Sequence, residues 1–126
     1  MSSRILLAHS DELLLDLYQS VFADDGRDVE AVTNALQCVR SLDMFQPDLL
    51  ILEWELPWGG GDGVLALLQD QRANIPVLVT HRNMPDQQRA KFTNGALVTC
   101  LPRPLRIHTM RAAVERALNP REIPAL

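Results

Sequence analysis

Four short clusters hold the side chains in this sequence that could do chemistry: His9-Ser10-Asp11, Glu53, Thr80-His81, and Cys100 with Arg103. His9, Asp11 and Glu53 together offer three potential ligands for a transition metal such as Zn²⁺, although no metal-motif spacing joins them. Gly59-Gly60-Gly61 is not a phosphate-cradling loop, because no lysine followed by serine or threonine accompanies it. Cys100 ends an apolar run and reads as a small core residue. A redox role would require an exposed thiolate of low pKa. Cys38 and Cys100 stand far apart and form neither a disulfide framework nor a metal motif.

The elements that must position these groups follow from hydrophobic periodicity. Ile5–Ala8 is a continuous apolar run, the signature of a strand covered on both faces. From Asp11 to about Asp25, Leu14, Leu17, Tyr18, Val21 and Phe22 recur at helical spacing, with Ser10 or Asp11 as N-cap. Asp24-Asp25-Gly26 ends that helix through a left-handed glycine. The pattern then repeats. A strand over Asp28–Val32 precedes a helix that Thr33 or Asn34 caps and that carries Ala35, Leu36, Val39 and Leu42. Leu49-Leu50-Ile51-Leu52 is the strongest strand signal in the chain. Gly59-Gly60-Gly61 reads as loop, with Asp62 capping a helix of Val64, Leu65, Leu67 and Leu68. A strand over Ile75–Thr80 opens on Pro76, where a missing N–H is tolerated. A short polar helix runs from Pro85 to Asn94-Gly95, and Ala96–Cys100 is a fifth strand. Pro104 suits the first turn of a last helix presenting Met110, Ala113, Val114, Ala117 and Leu118.

Five β-α units in one chain predict an α/β fold, a parallel sheet wound on both faces by helices through right-handed crossovers. In such a sheet ligands bind at the carboxyl ends of the strands. Those ends are where His9-Ser10-Asp11, Glu53, Thr80-His81 and Leu101–Pro104 fall.

The segments Arg4–Ala8, Pro47-Asp-Leu-Leu-Ile-Leu-Glu-Trp-Glu-Leu-Pro57, Pro76–Thr80 and Leu101-Pro-Arg-Pro104 resemble the receiver domains of two-component response regulators. The resemblance runs from Arg4 to about Leu118. It implies a flavodoxin-like (βα)5 fold with strand order 2-1-3-4-5, a receiver-like domain over residues 1–119 and a tail over 120–126. It also implies phosphoryl transfer to an aspartate at the end of the third strand. An acidic cluster that helps hold Mg²⁺, a Thr or Ser and a lysine assist that transfer, because metal and lysine neutralise charge on the phosphoryl oxygens.

Position by position, the sequence departs from that chemistry. Glu53 stands at the phosphoacceptor, His9 and Ser10 at the two acidic positions with only Asp11 following, and Arg103 at the lysine. Cys100 replaces the switch aromatic. Thr80 alone matches. Sliding Asp11-Glu12 onto the acidic pair would spoil the apolar run of the first strand. Mg²⁺ needs oxygen ligands, mainly carboxylates, and this set is poor in them. Glu53 reaches one methylene further than aspartate, towards Thr80 or the planar fork of Arg103. The expectation is a Glu53–Arg103 contact, aided by Thr80, that stands in for metal and phosphate. A pocket that is merely inactive is the other reading. The loop holding Trp58 is about two residues longer than usual in receivers. Trp54 and Trp58 bracket the pocket, and Trp58 either covers it, anchors a partner or packs on the neighbouring helix.

Composition narrows the function classes. The chain has 126 residues, 47% of them hydrophobic and 22% charged, and no apolar run long enough to cross a bilayer. Its start lacks the features of a signal peptide. A soluble, cytoplasmic single domain is expected. The net charge of −4 divides unevenly: residues 1–81 hold 13 acids against 4 arginines, residues 82–126 hold 3 acids against 8 basic groups. A pI near 5.2 disfavours nucleic acid as a partner. Arg82, Arg89, Lys91, Arg106 and Arg111 fall on or near the last two helices and the strand between them. Receivers often use that face for dimers or partners. The sequence therefore predicts a non-enzymatic, atypical receiver-like domain without cofactor or metal, acting through protein partners or as a homodimer. The alternatives are a phosphorylated receiver with a modified site, and a small-molecule or flavin protein on the same fold. A flavodoxin's glycine-rich phosphate loop is missing after the first strand.

Overall fold

The computed structural model describes residues 3–71, 74–93 and 97–119, with side chains at all of them but 91–93. Five strands, β1 (Arg4–Ala8), β2 (Asp28–Val32), β3 (Leu49–Glu53), β4 (Val77–His81) and β5 (Val98–Pro102), alternate with five helices. These are α1 (Glu12–Asp24), α2 (Ala35–Phe45), α3 (Gly60–Asp70), α4 (Asp86–Thr93) and α5 (Ile107–Leu118). The strands form one parallel sheet in the order β2-β1-β3-β4-β5, as the resemblance implies.

Alternation along each strand divides the core in two. Leu6, Leu50, Leu52, Val77 and Val79 face α2 and α3, packing on Ala35, Cys38, Val64, Leu65 and Leu68. Ile5, Leu7, Leu49, Ile51 and Leu78 face α1 and α5, packing on Leu15, Tyr18, Phe22, Met110 and Val114. The three central strands are buried on both faces, which is why their sequences read as unbroken apolar runs.

Caps and turns bear out several expectations. Asp11 is the N-cap of α1, its Oδ1 accepting from the N–H groups of Leu13 and Leu14. Gly26, at φ +82°, supplies the left-handed turn after α1. Asn34, not Thr33, caps α2 by accepting from Gln37 N–H.

Other expectations need correcting. Gly60 and Gly61 belong to α3, whose N-cap is Gly59, and Asp62 lies in the first turn without capping it. Packing explains why the glycines are there. A Cβ on Gly61 would stand 2.8 Å from Trp54 Cα and 2.9 Å from the Glu53 carbonyl, so only glycine lets α3 start against the end of β3. The fifth strand runs two residues later than the sequence suggests, and α5 begins three residues after Pro104, with Arg106 as its N-cap. On α1, Tyr18 and Phe22 are buried as expected but Leu15 takes the place of Leu17, and on α2 Ala35 is buried as expected together with Cys38 while Leu36 and Val39 are exposed. The expected tail over 120–126 and the Asn94-Gly95 stop lie outside the described residues.

Candidate functional site

Register brings the chemistry-bearing positions to one edge. Ala8 is the partner of Leu52, Glu53 of Thr80, and His81 of Pro102. His9, Glu53, Thr80 and Arg103 therefore end their strands side by side. The pairing of Ala8 with Leu52 also rules out sliding Asp11-Glu12 into the strand end.

Glu53 is buried, 4% exposed. Its Oε1 accepts from Ser10 N–H at 2.8 Å, and its Oε2 accepts from Arg103 Nη1 at 3.1 Å. The other terminal nitrogen of Arg103, Nη2, donates to Glu55 Oε1. One guanidinium thus ties together the carboxylates at the end of β3 and just beyond it. The sequence pattern does not single out Glu55 as a site residue. The signal for it is the Glu-x-Glu spacing, which continues the strand's alternation onto the same side.

His9 completes the cluster. Asp11 N–H donates to His9 Nδ1 at 3.0 Å, so the neutral ring carries its proton on Nε2. That nitrogen lies 3.7 Å from Glu53 Oε2 and 3.1 Å from Arg103 Nη1. With the proton on Nε2, the approach of Arg103 is a close contact and not a second donation. Burial holds the His9 pKa below its usual 6.5, and Arg103 adds to this against the opposing pull of Glu53. At neutral pH His9 is therefore uncharged, and its contact with Glu53 is not an ion pair. Burial pushes the Glu53 carboxyl up, but hydrogen bonds from Ser10, then the proximity of the His9 ring and the Arg103 guanidinium, bring it below the usual carboxylate value. Glu53 and Arg103 are the charged pair.

Thr80 does not join them. Its hydroxyl is buried and has no hydrogen-bond partner among the described residues, although its Cα is the register partner of Glu53. Both Glu53 oxygens are engaged on the α1 side, by Ser10 and Arg103. The expected help from Thr80 is absent.

Mg²⁺ does not fit this set of side chains. Asp11 spends its carboxylate capping α1, both oxygens of Glu53 are engaged, and His9 offers nitrogen where a hard cation needs oxygen. Among the described residues, no three His, Cys, Asp or Glu side chains are grouped to hold a metal, which also sets aside Zn²⁺ on His9, Asp11 and Glu53.

A cavity of about 690 Å³ opens over the cluster, bounded further by Tyr18, Leu14, Arg82 and Leu105. Neither tryptophan lines it. Trp58 is 74% exposed, so it neither covers the pocket nor packs on a helix, while Trp54 packs against the α2–α3 core. Cys100 is half-buried, with Sγ 3.9 Å from Met84 Sδ.

The basic residues divide. Arg82 lines the cavity, and its N–H donates to Glu55. Arg111 grips Asp25 at the end of α1 through Nε and Nη2, at 3.0 and 2.5 Å, and so faces α1. Arg89 pairs with Asp86 on its own helix, and Arg106 is exposed at the start of α5. The Lys91 side chain lies outside the described ones. No described helix is long and apolar enough to cross a membrane.

Comparison with known proteins agrees with this fold. The chain superposes on a CheY-like response regulator receiver domain protein from Methanospirillum hungatei with a TM-score of 0.87 and 17% identity, covering 97% of this chain and 98% of that one. The signal receiver domain of an HD domain-containing protein from Pseudomonas fluorescens gives 0.85 and 22%, covering 98% and 100%. Among curated proteins, the sensor protein EvgS of Escherichia coli O157:H7 is 27% identical over 86 residues, 68% of this chain but 7% of EvgS. The family model for the response regulator receiver domain matches residues 5–115. A five-stranded sheet in the order 2-1-3-4-5, matched by that model over nearly its whole length, places this chain in the response regulator receiver domain family.

Proposed function

We propose that this receiver domain signals without being phosphorylated at the end of β3, because a permanent Glu53–Arg103 contact occupies the phosphoryl pocket. Receiver domains of two-component signalling work through other proteins, and this one would do so from the cytoplasm in a single, fixed state. The observation that carries the reading is Arg103 Nη1 at 3.1 Å from Glu53 Oε2 while Nη2 holds Glu55. That arrangement puts a cation where incoming phosphate charge would need one and uses it internally. Glu53 is also a carboxylate already satisfied by a backbone N–H, a poor nucleophile towards a phosphodonor. The partner face consists of α4, β5 and α5, where Arg106 is exposed.

Acetyl phosphate with Mg²⁺ tests the reading by intact-protein mass. The native chain should gain no phosphoryl group. A chain with His9→Asp, Ser10→Asp, Glu53→Asp and Arg103→Lys, which restores the carboxylates and point charge the reaction needs, should gain one. Stoichiometric incorporation at Glu53 in the native chain would overturn the proposal.

A further inference from the structure

Large apolar side chains gather on and beside one exposed helix face. Leu36, Val39, Met44 and Trp58 are four of the seven large hydrophobic side chains left exposed among the described residues. Three of them stand on α2, which buries Ala35 and Cys38 on its other side. Leu36, Arg40 and Met44 recur every four residues along the outward side of that helix. Val39 and Asp43 flank them towards α3, where both line a groove with Leu67 and Ile75. Trp58 stands at the first turn of α2, held there by its neighbours. The Pro57 carbonyl accepts from Ala35 N–H at 2.9 Å, and a Cβ on Gly59 would lie 3.2 Å from Ala35 Cβ. With φ at +62° and its indole in solvent, Trp58 strains the chain and gains little burial. A tryptophan so placed adds little to the fold, and tryptophan is a frequent anchor of interfaces.

We propose that this face binds a second copy of the chain, with α2 packed antiparallel on α2 about a twofold axis. Charge selects that occupant. Arg40 and Asp43 are neighbours on the exposed face, and neither pairs with another side chain among the described residues. A twofold axis passing midway between Ser41 and Leu42 sets Arg40 of each copy against Asp43 of the other, and Val39 against Met44. The same axis brings the start of one α2, with Leu36 and Trp58, to the end of the other, where Met44 is exposed. The face holds one cation and one anion, so two copies attract. α1 offers the contrast. Its exposed Leu13 and Leu17 share the helix with Glu12, Asp16 and Asp24 and with no basic residue, so a second α1 would be repelled. α2 packs on β1, β2 and α3, at the opposite edge of the sheet from β5. The dimer therefore leaves α4, β5 and α5 open to a different partner. One helix of 11 residues per copy makes a small contact, and the dimer is accordingly weak.

Sedimentation equilibrium of the native chain tests the dimer. The mean mass should rise from 14.1 kDa towards about twice that value between about 5 and 500 µM. Leu36→Asp and Trp58→Ala should each weaken association about tenfold or more. Arg40→Asp and Asp43→Arg should each do the same. The two together should restore native strength, because the exchanged pair still meets its opposite across the axis. All four substituted positions are exposed, so circular dichroism should show every variant folded. Tryptophan emission of the native chain should move to shorter wavelength over the same concentrations, and Trp58→Ala should abolish that shift. A native chain that stays monomeric up to about 500 µM overturns the proposal. So does association that Arg40→Asp leaves unchanged, or that the double exchange fails to restore.

Discussion

Arg103 reaches from the end of β5 to Glu53 at the end of β3, Nη1 to Oε2 at 3.1 Å, crossing above the intervening β4. Both side chains are largely buried, at 12% and 5% exposure. Such a pair need add little net stability while intact, yet losing one member leaves a buried charge alone.

Arg103→Ala should therefore destabilise the fold by about 3 kcal/mol, since it strands Glu53 and frees Glu55. Arg103→Lys keeps a point charge but loses the fork and should cost about 1 kcal/mol. Adding Glu53→Gln to Arg103→Ala should cost less than the two single changes together, because they share one interaction. Urea unfolding of the native chain and the four variants measures these differences. A change below about 0.5 kcal/mol for Arg103→Ala would mean the contact is not formed in solution.

Stability should fall as the solution is acidified from neutrality. His9 and His81 both have pKa values held below 6.5, chiefly by burial, so the folded chain keeps them neutral while the unfolded chain takes up protons. Their contribution is complete above pH 6.5 and is lost as pH drops below it. Glu53, held below 4.5, adds a further loss below that value. Unfolding midpoints between pH 8 and 5 should decline, and His81→Leu should flatten the slope. A midpoint that is constant or rises towards pH 5 would contradict neutral imidazoles.

Two glycines of α3 should respond to alanine with opposite signs. At Gly61 the added Cβ would meet backbone at 2.8 and 2.9 Å, which should cost about 2 kcal/mol. At Gly63 nothing lies within 4 Å, so alanine should stabilise the helix by about 1 kcal/mol. Thermal unfolding of the two variants separates these outcomes, and equal shifts would mean α3 does not start against β3.

Trp58 should be replaceable by glycine at less cost than by alanine. Its φ is +62°, a left-handed conformation that costs a side chain roughly 1–2 kcal/mol, and its 74% exposure means little burial is lost on truncation. Trp58→Gly should come out about 1 kcal/mol more stable than Trp58→Ala in denaturant unfolding. The reverse order would show that the indole is packed in solution.

Much of this could be read before folding was considered. The apolar runs at Ile5–Ala8 and Leu49–Leu52 mark central strands because both of their faces are buried, which leaves no alternation to interpret. The edge strand β5 is less legible: its burial is partial, and the sequence pattern puts its start two residues early, whereas the other edge strand, β2, has the bounds that the pattern predicts. The glycines at 59–61 suggested a loop because their role, the close approach of α3 to Trp54, depends on a neighbour that local sequence does not show.

The sequence by itself determined the β-α alternation, the location of the reactive side chains at strand ends, and the loss of the carboxylates that Mg²⁺ requires. These depend on residue type and spacing along the chain. Only the tertiary structure decided who meets whom. Parallel register set Glu53 beside Thr80, yet the carboxylate turned to Ser10 and Arg103. Arg103 took Glu55 as a second partner, and Arg111 turned to Asp25 on α1. Those choices depend on where flexible polar side chains find complementary charge across 40 to 90 residues of chain, which no local pattern encodes.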